Sequence, residues 1–215
     1  MKVKRFINHP VPSNTYVLYD ETKGNECIII DPGSKDSTDL LTFLDSSNLL
    51  PKYIILTHEH FDHVWGTNAI RDKYGSKIVC SKVCAEKIGK PLNYFNLLYF
   101  NDDEVFQIKN VDIIIDNFDY QLFWNGITLS FLDTPGHSSS SMSLFFDGVF
   151  FAGDTLVKGE KPVIKKRYEG SHTEFKKSIN LIFNKFRPDT VVYSGHGEKF
   201  NLADVKDQYK SYLIE

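Results

Sequence analysis

Short apolar runs that stop at a polar or glycine-bearing turn recur along the chain. Cys27–Ile30 runs into Asp31 and Tyr53–Leu56 into His58. Thr128–Leu132 leads to Thr134-Pro135-Gly136-His137, Val149–Ala152 to Gly153-Asp154, and Val191–Tyr193 to Gly195-His196. Their length and their β-branched and aromatic content predict buried strands. Further strands are predicted over Val3–Ile7 and Thr15–Tyr19. Asn125-Gly126, between Tyr120–Trp124 and Ile127–Phe131, predicts a hairpin with a two-residue turn. Helical periodicity covers Ser37–Ser46, Val64–Tyr74, Ser81–Ile88, Thr173–Phe186 and Leu202–Tyr212. In Thr173–Phe186 the apolar stripe is Phe175, Ile179, Ile182, Phe183 and Phe186, and Pro188 stands just beyond as a stop.

Two of these stretches share an order of parts. Ile28-Ile29-Ile30-Asp31, a helix, Pro51 and Tyr53–His58 form one unit. Phe150–Asp154, a helix, Pro188 and Val191–His196 form the other. Two such halves, packed sheet to sheet with helices outside, predict an α/β fold of the α/β/β/α sandwich type. No linker interrupts the pattern, so residues 1–215 are expected to form one domain. Within Lys90–Phe118 the aromatic patch Tyr94–Phe100 is either a loop covering the core or one wall of a substrate pocket.

Composition narrows the classes of function. Hydrophobic residues make up 41% and charged residues 25% of the 215, an ordinary globular balance. The net charge of −3 offers no global positive field to gather nucleic acid or anionic lipid. Cys27, Cys80 and Cys84 are too few for a disulfide framework and suit thiols in a reducing compartment. The basic start Met1–Arg5 is followed by no apolar signal region, and no run is long enough to span a bilayer. A soluble, cytoplasmic protein that binds neither membrane nor nucleic acid is expected.

The strongest chemical signal is Thr57-His58-Glu59-His60-Phe61-Asp62-His63. So many imidazoles beside a carboxylate are costly to bury unless they bind something. In an extended stretch, residues two apart face the same way, so His58 and His60 can grip one metal. Asp62 and His63, at the turn into the next helix, can hold a second. Three more candidates, His137, Asp154 and His196, each follow a glycine behind a predicted strand, where the backbone can turn sharply toward a metal cluster. His9 and His172 lie outside this pattern and read as ordinary residues.

This set resembles the H-x-H-x-D-H signature and the downstream His, Asp and His of the metallo-β-lactamase superfamily, over nearly the whole chain from Asp31 to His196. The resemblance implies the four-layer α/β/β/α sandwich of that family. It implies that His58, His60 and His137 bind one metal, that Asp62, His63 and His196 bind another, and that Asp154 bridges both. Asp62 and Asp154 are thereby the catalytic carboxylates, and Asp31 is a residue that orients ligands without touching metal. The two divalent ions, zinc being the first choice with iron or manganese possible, would share a hydroxide that acts as the nucleophile.

Lys166-Arg167-Tyr168-Glu169-Gly170 resembles the K-x-Y-E-G segment of glyoxalase II, a glutathione thioester hydrolase. The resemblance implies that Lys166 and Tyr168 contact a thiol carrier; a solvated basic loop is the other reading of the same residues. The chain runs only from His196 to Glu215 after the last ligand, so the helical domain that glyoxalase II adds there is not expected. The expected activity is therefore hydrolysis of a small ester or thioester. A mononuclear iron persulfide dioxygenase, using His58, His137 and Asp154, and a lactonase of the same fold are the alternatives. A β-lactamase is not expected, because such enzymes are normally exported.

Overall fold

The apolar run Glu26–Ile30 forms a strand (β3) that is buried along nearly all its length and has strands paired on both sides of it. On one side β1 (Lys2–Ile7) and β2 (Asn14–Tyr19) complete an antiparallel meander with it. On the other, β4 (Leu50–Ile55), β5 (Lys77–Ser81) and β6 (Ile113–Ile115) add in parallel. Parallel neighbours need a crossover. Helix α1 (Thr38–Ser46) supplies it between β3 and β4, and α2 (Phe61–Val64) with α3 (Thr67–Tyr74) supplies it between β4 and β5. Helix α4 (Lys82–Ile88) follows β5, with Ser81 capping it by accepting a hydrogen bond from the Cys84 amide. The computed structural model describes residues 1–91, 98–99, 104–166 and 169–213, and these six strands with their helices make up a first unit, Met1–Ile115.

The second unit, Asp116–Glu215, holds its own six-stranded sheet. Strands β7 (Gln121–Trp124), β8 (Ile127–Asp133), β9 (Met142–Phe146) and β10 (Val149–Gly153) run antiparallel in turn. Asn125 and Gly126 both have positive φ, 49° and 76°, as the tight turn between β7 and β8 requires. Helix α5 (His172–Lys185) then crosses to β11 (Val191–Ser194), which is parallel to β10, and β12 (Phe200–Asn201) closes the edge. Phe175, Ile179 and Ile182 from α5 are fully buried against Phe150, Ala152 and Val192 of the sheet. Fully burying an aliphatic or aromatic side chain of this kind contributes about 1.5–3 kcal/mol.

Both units thus contain a strand–helix–strand crossover with an aspartate just after the first strand, Asp31 after β3 and Asp154 after β10. Together they form the metallo-β-lactamase fold, two mixed six-stranded sheets with flanking helices.

Two expected helices differ in detail. Val64–Tyr74 is divided at Trp65-Gly66, because the Gly66 amide donates to Pro32 O at 2.7 Å instead of continuing the helical ladder. A side chain at Gly66 would meet Ser37 Oγ at 2.6 Å, so the break is packed closely against the loop after β3. Leu202–Tyr212 is not one α-helix. It consists of two short 3₁₀ turns, Leu202–Val205 and Lys210–Tyr212. Side chains from this stretch reach back to the loop after β10 and hold the backbone in the tighter form. Gln208 Nε2 donates to Val157 O and Glu160 O, and Tyr209 and Asp204 make further bonds there. The aromatic segment Tyr94–Phe100 lies outside the described residues except for Leu98 and Tyr99.

Candidate metal centre

In the first unit the ligand candidates sit where β4 ends and α2 begins. Thr57 and His58 follow the strand, His60 precedes the helix in extended conformation, and Asp62 and His63 lie in its first turn. The rings of His58 and His60 are 4.6 Å apart, and those of His58 and His63 are 4.3 Å apart. His58 and His63 are buried. Glu59, between the first two histidines, is held by Lys87 Nζ at 2.6 Å, which ties this loop to α4.

Asp31 organises the cluster from behind. Its Oδ1 accepts the Thr57 amide at 2.7 Å, and its Oδ2 accepts the Thr57 hydroxyl at 2.6 Å. The same Oδ2 lies 3.0 Å from His63 Nδ1. Asp31, His58 and His63 offer ligand atoms that all lie within 4.8 Å of one another. Both carboxylate oxygens of Asp31 are already engaged with Thr57 and His63, so Asp31 braces the cluster. A carboxylate only accepts, hence His63 Nδ1 carries a proton and, in the neutral ring, its Nε2 presents a lone pair. That Nε2 lies 3.6 Å from Asp62 Oδ2.

The backbone under Asp62 is fixed as well. Its carbonyl accepts hydrogen bonds from Ser13 Oγ and Asn8 Nδ2. Asn8 Oδ1 in turn accepts the hydroxyls of Thr15 and Ser34, and Thr15 Oγ1 also bonds Asp31 O at 2.8 Å. At Gly33 a Cβ would sit 1.6 Å from Asp62 O, so only glycine fits where the two loops meet. Asn8, Ser13, Thr15 and Gly33 were not among the residues the sequence singled out. A residue in or beside a strand carries no mark of the distant carbonyl it will meet.

In the second unit the candidates stand at the ends of β8, β10 and β11. His137 follows a turn whose Gly136 has no room for a side chain, since a Cβ would lie 2.3 Å from Phe175 Cα. His137 Nδ1 is 2.7 Å from Val163 O, an obligate acceptor, so Nδ1 is protonated and, in the neutral ring, Nε2 carries the lone pair. That Nε2 faces Asp154 Oδ2 at 3.4 Å, and His196 Nε2 faces the same oxygen at 3.3 Å. His196 is 21% exposed, the most open of the three.

These separations test whether a metal fits. Two donors each ~2.0–2.2 Å from one tetrahedral ion stand roughly 3.3–3.6 Å apart. The pairs His137–Asp154, His196–Asp154 and His63–Asp62 all match this spacing. With the rings neutral, the facing atoms of His137–Asp154 and His63–Asp62 are all acceptors, and positive charge between them turns repulsion into attraction. Nitrogen and oxygen donors of this kind suit zinc, iron or manganese. Both units therefore supply His and Asp donors to groups of metal-binding type, and the residues fit the ions.

The loop after β10 carries the basic residues. Lys158 pairs with Asp204 at 2.9 Å. Lys166 is exposed, while Arg167 and Tyr168 lie outside the described residues. The three cysteines are free and buried. Burial pushes the Cys27 thiol up to about 12, and a hydrogen bond with Cys80, then burial, raises the Cys84 thiol well above its usual range.

A fold of two mixed sheets with metal-binding clusters at strand ends defines a metallo-hydrolase class, and a sequence model described as Metallo-beta-lactamase superfamily matches residues 9–196. The chain belongs to that superfamily and is a metallo-hydrolase within it. It is 28% identical over 218 residues to a probable metallo-hydrolase of Streptococcus pyogenes serotype M6, covering 96% of this chain and 88% of the relative. It is also 28% identical over 200 residues to a hydroxyacylglutathione hydrolase of Pectobacterium atrosepticum, covering 93% of this chain and 68% of that one. Among solved structures it is similar to the BLEG-1 B3 metallo-β-lactamase, with a TM-score of 0.81 and 29% identity, over 96% of this chain and 97% of that one. No helix among the described residues is long and apolar enough to cross a membrane.

Proposed function

We propose that this metallo-hydrolase holds two metal ions and hydrolyses a small thioester or ester, in the manner of glyoxalase II, with both units serving one catalytic domain. The observation that carries the reading recurs in each unit. A histidine whose Nδ1 proton is committed, His63 to Asp31 and His137 to Val163, turns Nε2 toward a carboxylate oxygen, of Asp62 or Asp154. His58, His60 and His137 would hold one ion, Asp62, His63 and His196 the other, and Asp154 both. Zinc is the ion we favour.

Two divalent ions, when bound, supply an activated water as nucleophile and positive charge opposite the developing oxyanion. The remaining work falls to the chain. Asp154 Oδ2, between His137 and His196, fixes their spacing. Asp62 Oδ2, beside His63 Nε2, is the group we assign to orient the attacking water. Lys166, on an exposed loop, attracts an anionic carrier on the substrate, and Tyr168 is its assigned companion. The likeness to hydroxyacylglutathione hydrolases supports a thioester. The buried free thiols are in keeping with a reducing, cytoplasmic setting.

A second reading is β-lactam hydrolysis, favoured by the 29% identity to a B3 metallo-β-lactamase over nearly the whole chain. A β-lactam presents a strained carbonyl to the same machinery. The test is a panel of glutathione and other thioesters, lactones and β-lactams, assayed with and without oxygen. Hydrolysis of a thioester in the absence of oxygen supports the first reading. Turnover of the β-lactam alone supports the second, and activity that needs oxygen rejects both.

A further inference from the structure

One oxygen of Asp31 serves two histidines. Oδ2 lies 3.0 Å from His63 Nδ1 and 2.6 Å from the Thr57 hydroxyl, and that hydroxyl lies 2.9 Å from His58 Nδ1. Asp31, Thr57, His58 and His63 are all buried, with at most 2% of any of them exposed. No solvent therefore competes for these bonds.

Counting protons settles their direction. Ionised Asp31 can only accept, so the single Thr57 hydroxyl proton points to Asp31 Oδ2. The threonine oxygen is left as an acceptor toward His58, and His58 Nδ1 must donate to it. His63 Nδ1 must likewise donate to Oδ2. Both rings are thereby set in the tautomer that offers Nε2 as a lone pair, one directly and the other through Thr57.

We infer that Thr57 is a positioning residue that links the ring of His58 to the ring of His63 through Asp31 Oδ2, so that the two metal positions do not fill independently. The coupling part rests on the assignment of His58 and His63 to different ions, made above. The chain of bonds is formed before any ion arrives, so a shift of the His63 ring on taking up an ion would pass through Asp31 Oδ2 and the Thr57 hydroxyl to His58. The neighbouring charged pair, Glu59 of the loop and Lys87 of α4, does not enter this chain of bonds.

The experiment has two readouts. Long-range ¹H–¹⁵N correlation spectra of the metal-free protein at mildly alkaline pH report the tautomer of each ring. Stepwise zinc titration reports the affinity and coupling of the two positions. In the wild type, His58 and His63 should both carry the proton on Nδ1. Thr57→Val should release His58 into a mixture of tautomers while His63 keeps its own, and should weaken zinc binding by roughly 10–100-fold, the usual cost of losing a partner behind a ligand. It should also separate the two binding steps. Thr57→Ser, which keeps the hydroxyl, should restore both properties and provides the variant of choice if the valine protein does not fold. A wild-type His58 protonated on Nε2, or a valine variant with unaltered tautomers and affinities, overturns the inference. Wild-type protein that shows the expected tautomers but takes up a single zinc equivalent overturns the coupling and the two-metal reading, and leaves the tautomer assignment standing.

Discussion

Ser139 donates a 2.6 Å hydrogen bond to the carboxylate of Glu169. The bond fastens the serine turn that follows His137 to the loop that carries Lys166. Two further bonds join the same segments, from His137 Nδ1 to Val163 O and from the Ser171 amide to Gly136 O. Glu169 adopts a positive φ of 58°, and Gly170 leaves no room for a Cβ, which would lie 2.7 Å from Lys165 N. The E-G half of the K-x-Y-E-G segment thus has a structural task of its own.

Loosening that fastening should disturb substrate capture before it disturbs stability. Glu169→Ala is expected to raise KM for an anionic substrate about 2- to 10-fold, equivalent to losing one bond of about 0.5–1.5 kcal/mol. Global stability should fall by no more than the worth of that one exposed bond, about 0.5–1.5 kcal/mol. Glu169→Gln, which can still accept from Ser139, should behave like the wild type. Lys166→Ala should also raise KM with little loss of kcat, and its effect should shrink at high salt, where screening shortens the reach of the charge. Steady-state kinetics at two ionic strengths check both. An unchanged KM for Lys166→Ala at low salt would reduce the loop to solvated surface.

Removing the Asp31 carboxylate should loosen His63 and Thr57 together. Asp31→Ala is expected to lower metal affinity or activity by roughly 10–100-fold. Competition with a zinc chelator measures the affinity directly. A variant with wild-type affinity and turnover would falsify the bracing role.

Two equivalents of metal per chain are expected under saturating zinc, measured by elemental analysis after gel filtration. Asp154→Ala should abolish hydrolysis and lower the stoichiometry, because it withdraws the oxygen that faces both His137 and His196. A single equivalent in the wild type, together with activity that requires oxygen, would point to the iron dioxygenase instead.

Tyr209 gives a prediction about pH. Its buried hydroxyl accepts the Val157 amide at 2.9 Å, and burial pushes its pKa up to about 12 from an ordinary value near 10. The native state therefore keeps a proton that the unfolded chain gives up. Stability should fall as pH rises from about 10 to 12 and level off above that. Tyr209→Phe should lose about 1–3 kcal/mol by stranding the Val157 amide, and should flatten this alkaline limb. Urea denaturation across alkaline pH reads both effects.

The histidines and aspartates could be read from the sequence because the cluster from His58 to His63 is local and because glycine marks His137, Asp154 and His196. Strands with long apolar runs were legible for a similar reason. Strand β5 was not, since its apolar core Ile78–Cys80 adjoins a helical pattern and has no turn signal of its own. The Leu202–Tyr212 stretch has helical periodicity, yet Gln208, Tyr209 and Asp204 are drawn to backbone and side chains some fifty residues earlier in the sequence, and that long-range pull decides its form. The support under Asp62 from Asn8 and Ser13, and under His137 from Val163 O, was equally hidden. Carbonyl oxygens are the same at every position, so a sequence cannot announce which one a histidine will use.

The aspartates after β3 and β10 differ by one step along the backbone. In the first unit the left-handed residue is Asp31 itself, with φ 51°, while in the second it is Gly153, with φ 50°, and Asp154 comes next. A carboxylate borne on the left-handed residue is thrown sideways to the end of the adjacent strand, where Thr57 receives it. One borne on the following residue is carried past the strand ends to meet His137 and His196. A phase difference of one residue at equivalent turns is thus enough to give the same side chain two occupations: a strut in one half and a meeting point for two imidazoles in the other.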